Sequence, residues 1–201
     1  KIIYENGKNG VDGIIYNGLC KNKNIDNPKK NSLRIKVKDN LIIHKDQIQG
    51  VIKQNLAEDI GDFILKRSDQ IFAYQFTVVI DNYLDKVTHV CRGYDLINSL
   101  FRQYYLHEIL GFKFPKTLHI PIATENQKKL SKGHGDNILV KGNEKNIWIN
   151  ALKFLGQPIL ESYSSMSLQE IIDDAIANWS IKYVSKSKSI EVDEHIHTLQ
   201  Y

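Results

Sequence analysis

Cysteine is scarce in this chain, with two residues in 201. Cys20 and Cys91 stand far apart in sequence and cannot form the disulfide framework that holds small secreted domains together, so a reducing cytoplasm is the simplest setting. Long hydrophobic runs are missing as well. No stretch approaches the roughly 20 apolar residues of a membrane span, and the first residues do not have the pattern of a signal peptide. No internal repeat is visible, which removes solenoid and propeller architectures. What is present suits a folded protein: 42% hydrophobic and 9% aromatic residues, enough for one or two compact units.

The net charge of +4 is modest, but its distribution is uneven. Residues 1–53 hold eleven Lys or Arg against five acids, a surplus of six, so the remainder is net −2. Such a local excess can follow phosphates, and it equally suits a lysine-rich solvated surface.

The periodicity changes along the chain. The first thirty residues, rich in Gly, Asn and Lys, read as loops around a short apolar turn, Ile14-Ile15-Tyr16. Leu33, Ile35 and Val37 alternate with Arg34, Lys36 and Lys38, the pattern of a half-buried strand. Leu41–His44, Ile48–Ile52 and Asp62–Lys66 are further strand candidates. Tyr74–Ile80 is too short an apolar run to assign by period. Val87–Val90 predicts a buried strand, Arg92-Gly93-Tyr94-Asp95 a turn, and Leu96 to Leu110 a helix with Gly111 at C′. Strand, turn and helix together suggest an α/β sheet. In the last third, Asn143 can cap a helix that runs to Leu155 and stops at Gly156 and Pro158. Ser167 and Glu170 have capping-box spacing ahead of a stripe of Ile171, Ile172, Ala175, Ile176 and Trp179. From about Ser185 the chain is polar.

Individual residues allow several chemistries. Lys128-Lys129-Leu130-Ser131-Lys132-Gly133 lies in a polar segment, where lysines can close over a triphosphate or can simply be solvated. Taken alone, Tyr74 fits a core aromatic, and Arg92 fits a structural ion pair as readily as a ligand clamp. Cys91 reads as core. His195 and His197 have a metal-like spacing but read as solvated side chains.

Four stretches acquire meaning together. They are Gly61-Asp62-Phe63-Ile64-Leu65-Lys66-Arg67-Ser68-Asp69; Phe72 to Asn82; Val87-Thr88-His89-Val90-Cys91-Arg92-Gly93-Tyr94-Asp95-Leu96; and Lys129 to Lys132. In this order and spacing they resemble the signature stretches of the glutamyl branch of class I aminoacyl-tRNA synthetases, with Leu130 where Met is more usual. Leu155-Gly156-Gln157-Pro158 and Ala177-Asn178-Trp179 extend the match, so that it covers roughly residues 10 to 185. Because Trp179 falls near the natural end of the short glutamyl-Q tRNA(Asp) synthetases, the resemblance is to that group in particular.

The resemblance implies an α/β fold: the second part of a class I Rossmann-like catalytic domain, with a small basic β-rich insertion and a C-terminal helical subdomain. The expected divisions are 1–61 for the basic module, 62–115 for the catalytic half, 116–185 for the lysine loop and helices, and 186–201 for a polar tail. It implies ATP-dependent activation of glutamate and transfer to queuosine in the anticodon of tRNA(Asp), by a cytoplasmic monomer. Tyr74 and Arg92 would hold glutamate, Lys132 the ATP phosphates, and Lys129 and Ser131 would complete the loop. Zinc in that group is held by a Cys-x-Cys pair and then by Tyr and Cys at the spacing of Tyr16 and Cys20; here the Cys-x-Cys is absent, which leaves half a site. A His-x-Gly-His-type motif is absent too, so the chain is expected to be part of a longer protein and not to adenylate glutamate by itself. A piece of a true glutamyl-tRNA synthetase and a catalytically silent RNA-binding module remain as alternatives.

Overall fold

The structure, a computed structural model, describes residues 7–21, 31–130 and 144–192. The chain divides into two compact units: Lys1–Asp46, Gly50–Val90 and Leu96–Thr117 form one, and Gln47–Gln49, Cys91–Asp95 and Leu118–Tyr201 the other. Both units contain helices and strands, in agreement with an α/β reading. Among the described residues no helix is long and apolar enough to cross a membrane.

In the first unit, β1 (Asn9–Gly10) and β2 (Gly13–Ile14) make a short hairpin, and β3 (Leu33–Ile35) precedes the longer hairpin of β4 (Leu41–Asp46) and β5 (Gly50–Asn55). Along β4 the side chains alternate in burial, with Ile42 and Asp46 inside and Leu41 and Ile43 outside. The one-turn helix α1 (Leu56–Asp59) is capped by the Asn55 carboxamide and leads to β6 (Phe63–Lys66), which pairs antiparallel with β3. The run that periodicity could not assign is a helix, α2 (Tyr74–Leu84), with Val79 fully buried. Strand β7 (His89–Gly93) is followed by a 3-10 turn, Tyr94–Leu96, and by α3 (Ile97–Leu110). That helix ends at Gly111, whose φ of 69° is the left-handed C-cap that glycine adopts without a Cβ clash. Strand β8 (Lys116–Ile120) then pairs with β7.

The core of this unit joins Leu56 and Phe63 to Val79 of α2 and to Leu100, Phe101, Tyr105 and Leu106 of α3. Polar ties fix the strands to it. The Tyr105 hydroxyl donates to the Lys36 carbonyl and accepts from the Lys38 amide, both at 3.1 Å. Thr117, 2% exposed, donates to the buried Asp46 carboxylate at 2.7 Å and lies 2.9 Å from His44 Nε2. Asp62 accepts from the Val37 amide at 2.9 Å and from the Lys21 ammonium at 2.8 Å, while its carbonyl accepts from Arg34 at 3.0 Å. Burial pushes the Asp62 carboxyl up, but Lys21 and the Val37 N–H outweigh it and hold the group below the ordinary carboxylate range.

The second unit contains β9 (Ile122–Glu125) and β10 (Lys128–Lys129), joined by Asn126 and Gln127 at φ 49° and 63°. Two positive φ values in a two-residue loop match a tight hairpin turn, and asparagine tolerates that region. Then come α4 (Glu144–Phe154), α5 (Leu168–Ala177) and β11 (Ser189–Glu191), which pairs parallel with β9. The capping box forms as its spacing requires, Ser167 accepting from the Glu170 amide and the Glu170 carboxylate from Ser167 N–H. Leu152, Tyr163 and Ile171 make the core here.

Several expectations are corrected. Cys91 is exposed, and β7 alternates in burial instead of lying fully inside. Leu33 is exposed because a register shift between Leu33 and Arg34 breaks the alternation, and Val37, though buried, lies beyond the strand. The second arm of the long hairpin begins at Gly50, since Ile48 is taken up, buried, in the turn. Ile176 and Trp179, 72% and 47% exposed, leave the expected stripe: Ile176 lies five residues after the fully buried Ile171, on another face of α5, and Trp179 follows the helix, which ends at Ala177. The polar stretch after Ser185 contains β11. Asn143, His195 and His197 lie outside the described residues.

Two outcomes follow. Ile171→Ala removes a fully buried side chain and should destabilise the chain by about 2–5 kcal/mol, whereas Ile176→Ala should change it by less than about 0.5 kcal/mol in denaturant titrations. Because the Asp62 pKa is lower folded than unfolded, its contribution is present above the unfolded value and fades as pH falls through the folded one. The stability gap between wild type and Asp62→Asn should therefore be constant near neutral pH and shrink below about pH 4.

Candidate functional site

The backbone around Arg92 is what places the candidate side chains of the second unit. Strand β7 carries Arg92 on its last turn of pleat, and the guanidinium donates through Nε to His119 Nε2 at 3.0 Å. His119 is fully buried on β8, and its carbonyl accepts from Gln49 at 2.8 Å. For Nε2 to accept, it must present its lone pair to Arg92, so this contact uses the imidazole as an acceptor. An arginine anchored through Nε has a fixed plane, which is what a two-pronged grip on a carboxylate needs.

Three residues later the Asp95 carboxylate pairs with the Lys129 ammonium. Both groups are substantially exposed, so the pair contributes at most about 1 kcal/mol, but it links the turn after β7 to the hairpin arm that leads into Ser131 and Lys132. Gly93 makes the approach possible. A Cβ there would stand 2.6 Å from Asp95 Oδ1, inside any real contact distance. The missing side chain at Gly93 lets the carboxylate fold back under the turn, from where it faces Lys129. Lys129 thus has a carboxylate partner, and a phosphate would share its three donors or compete for them.

On the hairpin side, Glu191 of β11 accepts from the Thr124 hydroxyl at 2.6 Å and from the Gln127 amide at 3.1 Å. These bonds hold the Glu191 carboxyl below its ordinary pKa, Thr124 contributing most. They brace the turn at Asn126 and Gln127 just before Lys129.

Tyr74 belongs to the first unit and is the first residue of α2, 52% exposed. It is no core aromatic. Ala73 provides no side-chain cap, so the first amides of α2 beside Tyr74 are not capped by a side chain. The next residue, Gln75, donates to Ser99 and accepts from Gln103, both at 2.8 Å. It also lines a recess of about 240 Å³ with Tyr16, Arg34, Asp62 and Arg102.

The expected zinc ligands do not assemble a site. The Tyr16 hydroxyl accepts from the Cys20 backbone amide at 2.8 Å, and the Arg34 guanidinium lies 4.4 Å from its ring centre. Among the described residues no three His, Cys, Asp or Glu cluster as metal ligands. Two donors fall short of the four that structural zinc takes, so no chemistry is assigned to a metal here. Ser131 and Lys132 lie outside the described residues. Sequence reasoning missed Asp95 as the Lys129 partner and His119 as the Arg92 partner. Neither sits at a spacing that local periodicity registers.

Comparison with known proteins shows the family. The family model described as tRNA synthetases class I (E and Q), catalytic domain, matches residues 19–196. The glutamyl-Q tRNA(Asp) synthetase of Acinetobacter baylyi is 38% identical over 172 residues, 85% of this chain and 57% of that protein. Those of Pseudomonas syringae pv. syringae and Escherichia coli K12 are 34% and 35% identical over 90% and 87% of this chain, and 61% and 57% of their own lengths. The chain thus spans about three fifths of the length of the curated relatives it matches. A crystal structure of glutamate-tRNA synthetase from Elizabethkingia anophelis superposes with a TM-score of 0.62 at 22% identity, covering 83% of this chain and 37% of that one, a likeness of fold.

Gly93→Ala should displace Asp95 and release Lys129. Amine-labelling followed by mass spectrometry should then show Lys129 modified several-fold faster than in wild type, with far-ultraviolet circular dichroism unchanged. Equal labelling of Lys129 would mean that Gly93 does not set the ion pair.

Proposed function

The chain belongs to the class I tRNA synthetases (E and Q), catalytic domain, and on that premise we propose that it is part of a glutamyl-Q tRNA(Asp) synthetase, which activates glutamate with ATP and transfers it to queuosine in the tRNA(Asp) anticodon. The observation that carries this reading is the 34–38% identity to three enzymes of that name over 85% or more of the chain. A cytoplasmic monomer is part of the same proposal.

In the proposed first step a glutamate carboxylate oxygen attacks the α-phosphorus of ATP. The new P–O bond gives glutamyl-adenylate, and the bond to pyrophosphate breaks. In the second, a hydroxyl of the queuosine cyclopentenediol attacks the activated carbonyl and AMP leaves. The protein's share is positioning and charge. Arg92, held in plane by His119, suits a second carboxylate of glutamate. Tyr74, half exposed at the start of α2, would contact glutamate in this reading. Lys132 would offset charge on the leaving pyrophosphate, with Lys129 and Ser131 completing the loop. Asp95 supports this by holding the arm of the loop through Lys129.

In the complete protein, glutamate-dependent ATP–pyrophosphate exchange should proceed without tRNA, and Lys132→Ala should lower it by about 10²- to 10³-fold, the scale of one lost transition-state donor. Arg92→Ala, and even Arg92→Lys, should raise the KM for glutamate far more than that for ATP. Glutamylation of tRNA(Asp) should require queuosine. Efficient charging of tRNA(Glu) at its 3′ end would overturn the reading in favour of an ordinary glutamyl-tRNA synthetase.

A further inference from the structure

The C-terminal ends of α2 and α3 and the start of β8 enclose a recess of about 460 Å³ on the first unit. Lys86, Lys113, Lys116 and His89 line it, together with Tyr83 and Phe114, and no Asp or Glu does. The ion pairs among the described residues involve other cations, so these three ammonium groups are not neutralised by a carboxylate. Lysines at helix C-termini have an ordinary role in offsetting the macrodipole. Two helix ends together amount to about one negative charge, and three lysines exceed that by about two.

The aromatic content is arranged as a platform. The Tyr83 ring lies flat on Phe112, with ring centres 3.7 Å apart and planes 7° from parallel. Tyr83 is nevertheless 52% exposed. A ring held from behind and open in front can accept a planar group at little cost in side-chain entropy. Lys86 adds an independent sign. It occupies the left-handed C′ position of α2 at φ 55°, with the Val87 amide bonded back to the Asn82 carbonyl at 2.9 Å. Glycine fills that position with less strain, so a lysine there is held against the local preference of the backbone.

We propose that this recess binds single-stranded or looped RNA, the lysines meeting phosphates and Tyr83 stacking on a base. Cations interleaved with a supported aromatic are the chemistry of backbone-tracking, base-stacking recognition. An isolated phosphate or a lipid surface would use the charges but not the platform. The proposal rests on the reading that the partner is an RNA and extends it to residues which that reading leaves without a role.

The test is fluorescence anisotropy of the 201-residue chain with a labelled, unmodified single-stranded RNA of about ten nucleotides, between about 50 and 200 mM salt. Replacing Lys86, Lys113 and Lys116 together by Glu should weaken binding at least ~10-fold and reduce the salt slope by about 2. Tyr83→Ala should weaken binding roughly 10-fold and leave the slope unchanged. Lys86→Gly should raise the Tm by roughly 2–4 °C while weakening RNA binding, which separates recognition from folding even if the triple variant is unstable. Wild-type affinity in Lys86→Gly and Tyr83→Ala would overturn the proposal, as would loss of binding to anionic phosphatidylserine vesicles with RNA binding intact. Glutamate activation by the complete protein should be unchanged in all these variants, so a failure here is distinguishable from a failure of the synthetase reading.

Discussion

Strand β7 ends at Gly93 and α3 begins at Ile97, which leaves three residues, Tyr94–Leu96, to turn an extended chain into a helix. A turn so short brings the side chain of Asp95 back against the strand it has just left, in a position that a Cβ at residue 93 would displace. Arg92 and Asp95 therefore lie on either side of one backbone constraint. The first reaches His119 on β8 and the second reaches Lys129 on β10. A cation suited to a carboxylate and an anion that pairs with Lys129 come from four consecutive residues, because the chain must change direction there.

The same economy governs the first unit. Asp62 serves a backbone amide, an ammonium and, through its carbonyl, a guanidinium, so one residue binds the segments around Lys21, Arg34 and Val37. Exposed ion pairs are individually weak. The apolar core of α2, α3 and the strands supplies the driving force, and Asp62 adds polar links between segments. Ile43 and Val51, on the outward-facing positions of the alternating β4 and β5, stay in solvent at 61% and 71% exposure.

Much of this was legible in local sequence. Gly111 was readable as a C-cap because a left-handed residue after a helical stripe is nearly always glycine, and Ser167 with Glu170 because a capping box needs only a spacing of three. The signature stretches carrying Tyr74, Arg92 and Lys129 were recognisable as a set. The misplacements have physical causes. Cys91 looked like core because it continues the apolar run that ends at Val90, but in a strand successive side chains point to opposite faces, and Cys91 lies on the exposed one. Trp179 continued an apolar pattern past the point where the helix stops at Ala177, and Ile176, inside the helix, falls on a different face from the buried Ile171.

The sequence by itself determined the element types wherever a period or a cap is encoded in neighbouring residues, the basic bias of its first quarter, and, through its ordered motifs, the family. Only the tertiary structure decided that the Tyr74 run is a helix, that Asp95 answers Lys129, that His119 orients Arg92, and that lysines from the ends of α2 and α3 meet beside Tyr83. These partners are separated by 27 to 34 residues, distances over which neither helical nor strand periodicity carries information, and only the close packing of distant segments could bring them together.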